Sequence, residues 1–203
     1  RDITRRDLNF YTVRTFFESW LKRKKSENSR ATYLRYRSIA NSFLTFLGDL
    51  ADQDLSSITT DEITGYRDSV AARLSTSSAN QELKVLRVAF KDAWKRNFIE
   101  ESPAARVDSI KTSSNGLNSG RRPFTIDELR LIFENANEEW KGMILCGLYT
   151  AQRLGDIARL TWNNLDLVRS EIRFVTAKTG RQVILPIAKP LLNHVRSIPA
   201  GDE

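Results

Sequence analysis

The stretch Thr150-Ala151-Gln152-Arg153-Leu154-Gly155-Asp156-Ile157-Ala158-Arg159-Leu160-Thr161-Trp162 decides how this chain is read. It follows an apolar run, Trp140 to Tyr149, and it places Arg153 at a small-residue turn with Asp156 three positions on. An arginine at the mouth of a buried helix needs a partner, because an unpaired buried charge is costly. Asp156, at i+3, is in reach and can hold the guanidinium fork. A fork held this way, with spare donors turned outward, fits a phosphate bidentately. A structural ion pair tying two helices together meets the same spacing. Spacing alone leaves both readings open.

Around this stretch the second half of the chain mixes short helices with strands. Thr125 and Glu128 form a capping box that opens a helix carrying Ile126, Leu129, Ile132 and Phe133. Trp140 to Tyr149 reads as a more fully apolar, central helix, and Leu154 to Leu160 as a short one. Strand-like runs follow at Glu171 to Thr176 and Gln182 to Pro186, joined by Ala177-Lys178-Thr179-Gly180-Arg181. Gly180 marks a hairpin turn. Lys178 in that turn, taken alone, reads as a solvated side chain. Another helix begins near Pro190.

Residues 111–122 read as a linker, because Thr112-Ser113-Ser114-Asn115-Gly116 has no apolar period and is rich in turn formers. Residues 1–110 read as a helical domain and residues 123–203 as a second one. The first helix carries Phe10, Val13, Phe17, Trp20 and Leu21, and the basic run Lys22 to Lys25 ends its stripe. A second helix fits residues 30–47, with Gly48 as the stop. Thr59 and Glu62 make a capping box before Ile63, Tyr66, Val70 and Leu74. A long fourth helix, about Ser78 to Asn97, buries Leu83, Leu86, Phe90 and Trp94.

That fourth helix has a second pattern. Lys84, Arg87, Lys91 and Lys95 share one face, about 16 Å long at the helical rise, with Asn80 one turn earlier. Such a face can span several phosphates. It also fits the solvated side of an amphipathic helix. The second helix adds Arg30, Thr32, Arg35 and Arg37. Thr and Asn near helix N-termini suit phosphate and base-edge hydrogen bonds, and serve equally as plain caps. Arg121 and Arg122, closing the linker, complete the candidate polyanion contacts.

The 203 residues hold 32 Lys and Arg against 25 Asp and Glu, a net charge of +7. Residues 1–110 carry 19 basic and 15 acidic side chains, and residues 111–203 carry 13 and 10, so both halves suit the same polyanion. No apolar run is long enough to cross a bilayer, and Arg1 to Phe10 does not resemble a secretory signal. The single cysteine, Cys146, excludes an internal disulfide and a cysteine-rich metal site. His194 is the only histidine, which weighs against chemistry needing several, and it reads as a helix-surface residue.

With these residues in view, the Arg153 stretch resembles the first catalytic box of the tyrosine recombinase family, which includes phage-type integrases. That box runs Thr-Gly-x-Arg-x-x-Glu/Asp-hydrophobic, then Leu-x-Trp-x-Asp-hydrophobic-Asp. Here Thr150, Arg153, Asp156, Ile157, Leu160, Trp162 and Asp166 match, while Ala151 stands where glycine is frequent and Asn164 where an acid is usual. The family's hairpin with a lysine in its turn is matched by Ala177-Lys178-Thr179-Gly180 and the following Val183 to Pro186. Ser29, Thr32 and Tyr36, and later Ser102-Pro103, fall where the family's helical core-binding domain carries similar residues.

The resemblance implies a mainly α fold: a helical, SAM-like core-binding domain, then part of an α+β catalytic domain with a small hairpin or three-stranded sheet. It implies site-specific cutting and rejoining of double-stranded DNA through a 3′-phosphotyrosyl link, with no metal and no cofactor. Arg153 would contact the non-bridging oxygens, Lys178 would protonate the departing 5′ oxygen, and Asp156 would orient Arg153 or the local fold. Self-association into a tetramer on DNA, no membrane, and a cytoplasmic, nucleoid-associated location follow from the same likeness. The family's His-x-x-Arg box and nucleophilic tyrosine are not matched: His194-Val195-Arg196 has the wrong spacing, and Tyr11, Tyr33, Tyr36, Tyr66 and Tyr149 all precede Arg153. The expectation is a chain cut within its catalytic domain, inactive alone, with apolar surface exposed around Trp140 to Tyr149. A DNA-binding regulator that has lost catalysis is the alternative, and a helical interaction module a third.

Overall fold

A computed structural model describes residues 11–111 and 122–198 of the protein. The chain divides into two compact units, Arg1–Gly116 and Leu117–Glu203. Most of the predicted linker, including Arg121, lies outside the described residues.

In the first unit, four helices follow from local capping chemistry. They are α1 (Val13–Glu27), α2 (Arg30–Leu47), α3 (Thr60–Arg73) and α4 (Thr76–Lys95). Thr12, Ser29, Thr59 and Ser75 each accept a backbone N–H of the first turn, satisfying donors that a helix start leaves unpaired. Thr59 and Glu62 form the expected reciprocal box. Gly48 closes α2 at φ +55°, a conformation that costs a residue without a Cβ little. The core is aromatic. Phe17 lies edge-on to Trp20, Phe43 and Phe90 at centroid distances of 6.0, 5.8 and 5.9 Å. Each such pair adds about 0.5–1.5 kcal/mol beyond burial.

The basic run Lys22 to Lys25 ends the buried stripe of α1 as expected: Trp20 is its last buried residue, and Lys24 and Lys25 lie in the last turn of the helix. Two expectations need correction here. Leu74 is 51% exposed because it sits just past the end of α3. Trp94 is 48% exposed because it falls on the flank of the buried stripe, between Phe90 and the basic face.

The second unit holds α5 (Ile126–Glu134), α6 (Glu138–Thr150), the short α7 (Leu154–Ile157), strands β1 (Leu165–Asp166), β2 (Glu171–Val175) and β3 (Gln182–Pro186), and α8 (Lys189–Ser197). The strands form one antiparallel sheet in the order β1-β2-β3, with Ile172 opposite Leu185 and Phe174 opposite Val183. Ile172 and Phe174 point into the core and Arg173 and Val175 out of it, the period-2 alternation of a half-covered strand. Leu145, Ile187, Leu191 and Val195 complete that core.

The central, fully apolar role expected of the Trp140–Tyr149 helix is not found. Of α6, only Leu145 and Thr150 are buried, because the small core touches one face of the helix. Trp140, Leu148 and Tyr149 are exposed, so Tyr149 is no core residue either, and α5 buries nothing. No helix among the described residues is long and apolar enough to cross a membrane.

Candidate functional site

The Arg153 turn is built by a left-handed residue. Ala151 closes α6 at φ +52° and ψ +28°, and its N–H bonds the Gly147 carbonyl. The chain then reverses into α7, where Arg153 is the N-cap residue and its carbonyl accepts from the Asp156 and Ile157 amides at 2.8 and 3.0 Å. The Arg153 side chain is 59% exposed, so its stem is not buried as the sequence suggests. Asp156 Oδ2 lies 3.9 Å from its guanidinium, an ion pair without a hydrogen bond. The fork's donors are therefore not spent on Asp156.

Asp156 does something else. Its side chain is 4% exposed, and Oδ1 accepts the Ala177 backbone N–H at 2.9 Å, while Oδ2 is buried with no hydrogen-bond partner. The carboxylate thus ties the Arg153 turn to the turn between β2 and β3. A buried carboxylate is costly unless hydrogen-bonded and compensated by charge, and here the amide and the nearby guanidinium divide those tasks.

The β2–β3 turn is rigid for reasons legible in its residues. The Thr176 amide donates to the Arg181 carbonyl at 2.9 Å, and the Gly180 amide to the Thr176 carbonyl at 2.9 Å. Buried Thr176 also accepts the Arg181 amide through Oγ1 at 3.1 Å, and its hydroxyl pairs with that of Thr179 at 2.7 Å. Gly180 turns the chain at φ +64°. Lys178 sits exposed near the tip, with no ion pair recorded for it among the described residues. Beside the turn runs an open groove of about 860 Å³, lined by Arg153 and Gln152 on one side and by Thr176, Thr179, Arg181, Gln182 and the Val183–Leu185 strand on the other. No carboxylate lines it. Among the described residues, no group of three His, Cys, Asp or Glu could hold a metal ion.

The other candidates scatter. Arg122 is spent on Glu128, donating to it at 2.7 Å beside the Thr125–Glu128 capping box. That pairing, with the Thr125 amide second, holds the Glu128 carboxyl down at about 2. In the first unit, Asn80 does not face outward as a free phosphate contact. Its Nδ2 donates to the Ile110 carbonyl at 2.8 Å and its Oδ1 accepts the Ile110 amide at 2.9 Å. Arg87 donates to the Val107 carbonyl, and Arg67 of α3 to the Asp108 carbonyl at 2.6 Å. Together they strap the irregular segment 107–110 onto α3 and α4. Arg35 bonds Gln81, and the Arg37 guanidinium lies 5.9 Å from the Tyr33 ring centre. The Thr32 amide donates to the Ser29 cap. Arg30, Lys84, Lys91 and Lys95 remain exposed, and no ion pair is recorded for them among the described residues.

Residues 12–110 match the family model of the phage integrase SAM-like domain. Tyrosine recombinase XerC of Roseiflexus castenholzii (strain DSM 13941 / HLO8) is 26% identical over 177 residues, which are 84% of this chain and 56% of the relative. Over most of its length the chain is thus similar to tyrosine recombinases, and residues 12–110 carry the phage integrase SAM-like domain. IntQ of Escherichia coli (strain K12), described as a defective protein, is 22% identical over 210 residues, 92% of this chain and 52% of its own. The fold of a lambda integrase tetramer bound to a Holliday junction aligns with a TM-score of 0.77 at 21% identity, over 93% of this chain and 55% of that one. The chain spans between 38% and 56% of the length of the curated relatives it matches.

Three features of this site escaped the sequence. The glycine frequent at position 151 has its reason in the left-handed backbone there, which Ala151 adopts at a cost. His194 is not a plain surface residue: its Nε2 is buried without a hydrogen-bond partner, close against Gly142 of α6, where a Cβ would lie 3.1 Å away. The lack of a side chain at position 142 was the available signal. The Asp156–Ala177 bond had none, because its acceptor and donor are 21 residues apart.

Proposed function

We propose that this chain supplies the DNA-binding and charge-stabilising parts of a site-specific recombinase. In that reaction a tyrosine oxygen attacks a DNA phosphorus, a 3′-phosphotyrosyl bond forms, and the 5′ oxygen leaves with a proton. Arg153 places its guanidinium on the non-bridging oxygens, where charge grows in the transition state. Lys178 gives its ammonium proton to the departing oxygen. Asp156 positions both by joining their turns. The observation that carries this reading is the 2.9 Å bond from Ala177 to Asp156, which fastens the lysine-bearing turn to the arginine-bearing one beside a groove free of carboxylates.

Residues 1–110 are the core-binding domain, and residues 123–203 contribute the first part of the catalytic domain. Arg30, Lys84, Lys91 and Lys95 are the phosphate contacts of the helical unit. No tyrosine lines the groove, so these 203 residues bind duplex DNA without forming a covalent link to it. The Holliday-junction tetramer among its structural neighbours supports self-association on DNA, and the DNA substrate supports a nucleoid location in the cytoplasm.

Nicked suicide substrates test the chemistry. The chain alone traps no covalent adduct, whereas a longer protein carrying these residues together with a catalytic tyrosine does. Arg153→Ala in that longer protein lowers the cleavage rate about 10²–10³-fold, the usual cost of losing one preorganised charge-stabilising donor. DNA binding without any trapping in the longer protein would favour the inactive regulator, a reading that the description of IntQ as defective keeps in view.

A further inference from the structure

We infer that Arg181 is a second phosphate-binding residue of the groove, gripping the DNA strand beside the phosphate that Arg153 takes. The inference rests on the functional reading of the Arg153 groove and goes beyond it, since neither the recombinase motif nor the spacing of the box assigns position 181 a role.

Three observations converge. Arg181 and Arg153 line the same groove from opposite turns, one leaving the β-hairpin and one opening α7. The groove wall contains no Asp or Glu, so neither guanidinium meets a competing anion inside it. Several basic side chains of this unit are paired, Arg122 with Glu128, Arg130 with Asp127, Lys141 with Glu138, and Arg173 with Glu171, whereas Arg159, Lys178, Lys189 and Arg196 form no ion pair among the described residues and do not line the groove. No such pair is recorded for Arg181 among the described residues.

The backbone of Arg181 is fixed. Its amide is held by Thr176 Oγ1 at 3.1 Å and its carbonyl by the Thr176 amide at 2.9 Å. A guanidinium on a fixed base loses less freedom on binding than one on a loose loop. A planar fork matches a phosphate's two oxygens. Two such forks in one groove suit a ligand that presents successive anions along a chain, which a DNA strand does.

The two arginines do different work. Charge grows on the phosphate Arg153 touches, so its contact strengthens in the transition state. The phosphate at Arg181 keeps its charge throughout, so that contact contributes equally to ground state and transition state and acts on affinity.

Fluorescence anisotropy of the 203-residue chain on a labelled duplex, followed across salt concentration, tests this. Arg181→Ala and Arg181→Gln are expected to weaken binding about 3–10-fold near 0.1 M salt and to reduce the slope of log K against log[salt] by about one phosphate's share. Arg181→Lys keeps the slope, because the charge remains, while affinity falls short of the parent. Arg173→Ala, on the same hairpin but paired with Glu171, leaves the slope unchanged. An unchanged slope in both neutral Arg181 variants, whether or not affinity drops, overturns the inference and leaves the reading of Arg153 standing. Failure of the parent chain to bind duplex DNA at low salt overturns that reading itself.

Discussion

Replacing Asn80 with alanine separates two roles for the same residue. If Asn80 straps the segment 107–110, the change removes two hydrogen bonds, 2.8 and 2.9 Å long, and leaves the Ile110 amide and carbonyl without protein partners. A buried unpaired group costs about 1–3 kcal/mol, and Ile110 is only half-buried, so water recovers part of the loss. Taking about 1 kcal/mol for each group gives about 2 kcal/mol for the first unit. At 1.4 kcal/mol per factor of ten, that lowers the protection of its slowest-exchanging amides about 30-fold. Hydrogen exchange resolved by residue reads this directly, at Phe43 and Phe90 for the whole unit and at Ile110 for the strap. Ile110 should lose more than the global share, because its own acceptor is gone. The salt slope of DNA binding should not move. Unchanged protection together with a shallower salt slope would refute the strap and return Asn80 to the phosphate-contacting role its position on α4 first suggests.

Other expectations follow from single contacts. Ala151→Gly should stabilise the second unit by about 0.5–1 kcal/mol in urea denaturation, because relief of left-handed strain exceeds the added chain entropy. Asp156→Ala should cost about 1–3 kcal/mol and expose the Ala177 amide to exchange, whereas Asp156→Asn, which keeps an oxygen acceptor, should leave that amide protected. The Glu128 carboxyl, held at about 2 by Arg122 and Thr125, lies below its unfolded value of about 4.3. Its contribution is therefore present above that value and lost as pH falls toward 2; the start of α5 should fray across that window by amide NMR, and Glu128→Gln should remove the pH dependence.

The parts of this fold legible in the sequence are those decided within a few residues. Thr59 with Glu62 and Thr125 with Glu128 are capping boxes in the structure as in the pattern, because donor and acceptor are three positions apart. The bounds of α2, residues 30–47, follow from a cap at Ser29 and a glycine at 48. Gly180 marks the hairpin through its positive φ. Pattern reading fails where a side chain serves something distant. Arg87 and Asn80 share a polar face with Lys84 and Lys91, and nothing in the helical period tells that segment 107–110 crosses near the first two. The burial of α6 depends on how much of α5, α7 and α8 lies against it, which no period in α6 encodes.

Asp156 shows why that distinction matters for function. By spacing it belongs to Arg153; by geometry its hydrogen bond belongs to Ala177. The structural arrangement suits a phosphate site better than the local pair would. A carboxylate hydrogen-bonded to Arg153 would occupy donors that a bound phosphate would need, and a carboxylate in the groove would repel any polyanion. Nearly buried, absent from the groove lining and 3.9 Å from the guanidinium, Asp156 offsets part of the Arg153 charge while leaving the fork open. Its one hydrogen bond goes to the neighbouring turn, so that on the proposed reading the placing of the lysine and the electrostatic support of the arginine come from the same side chain.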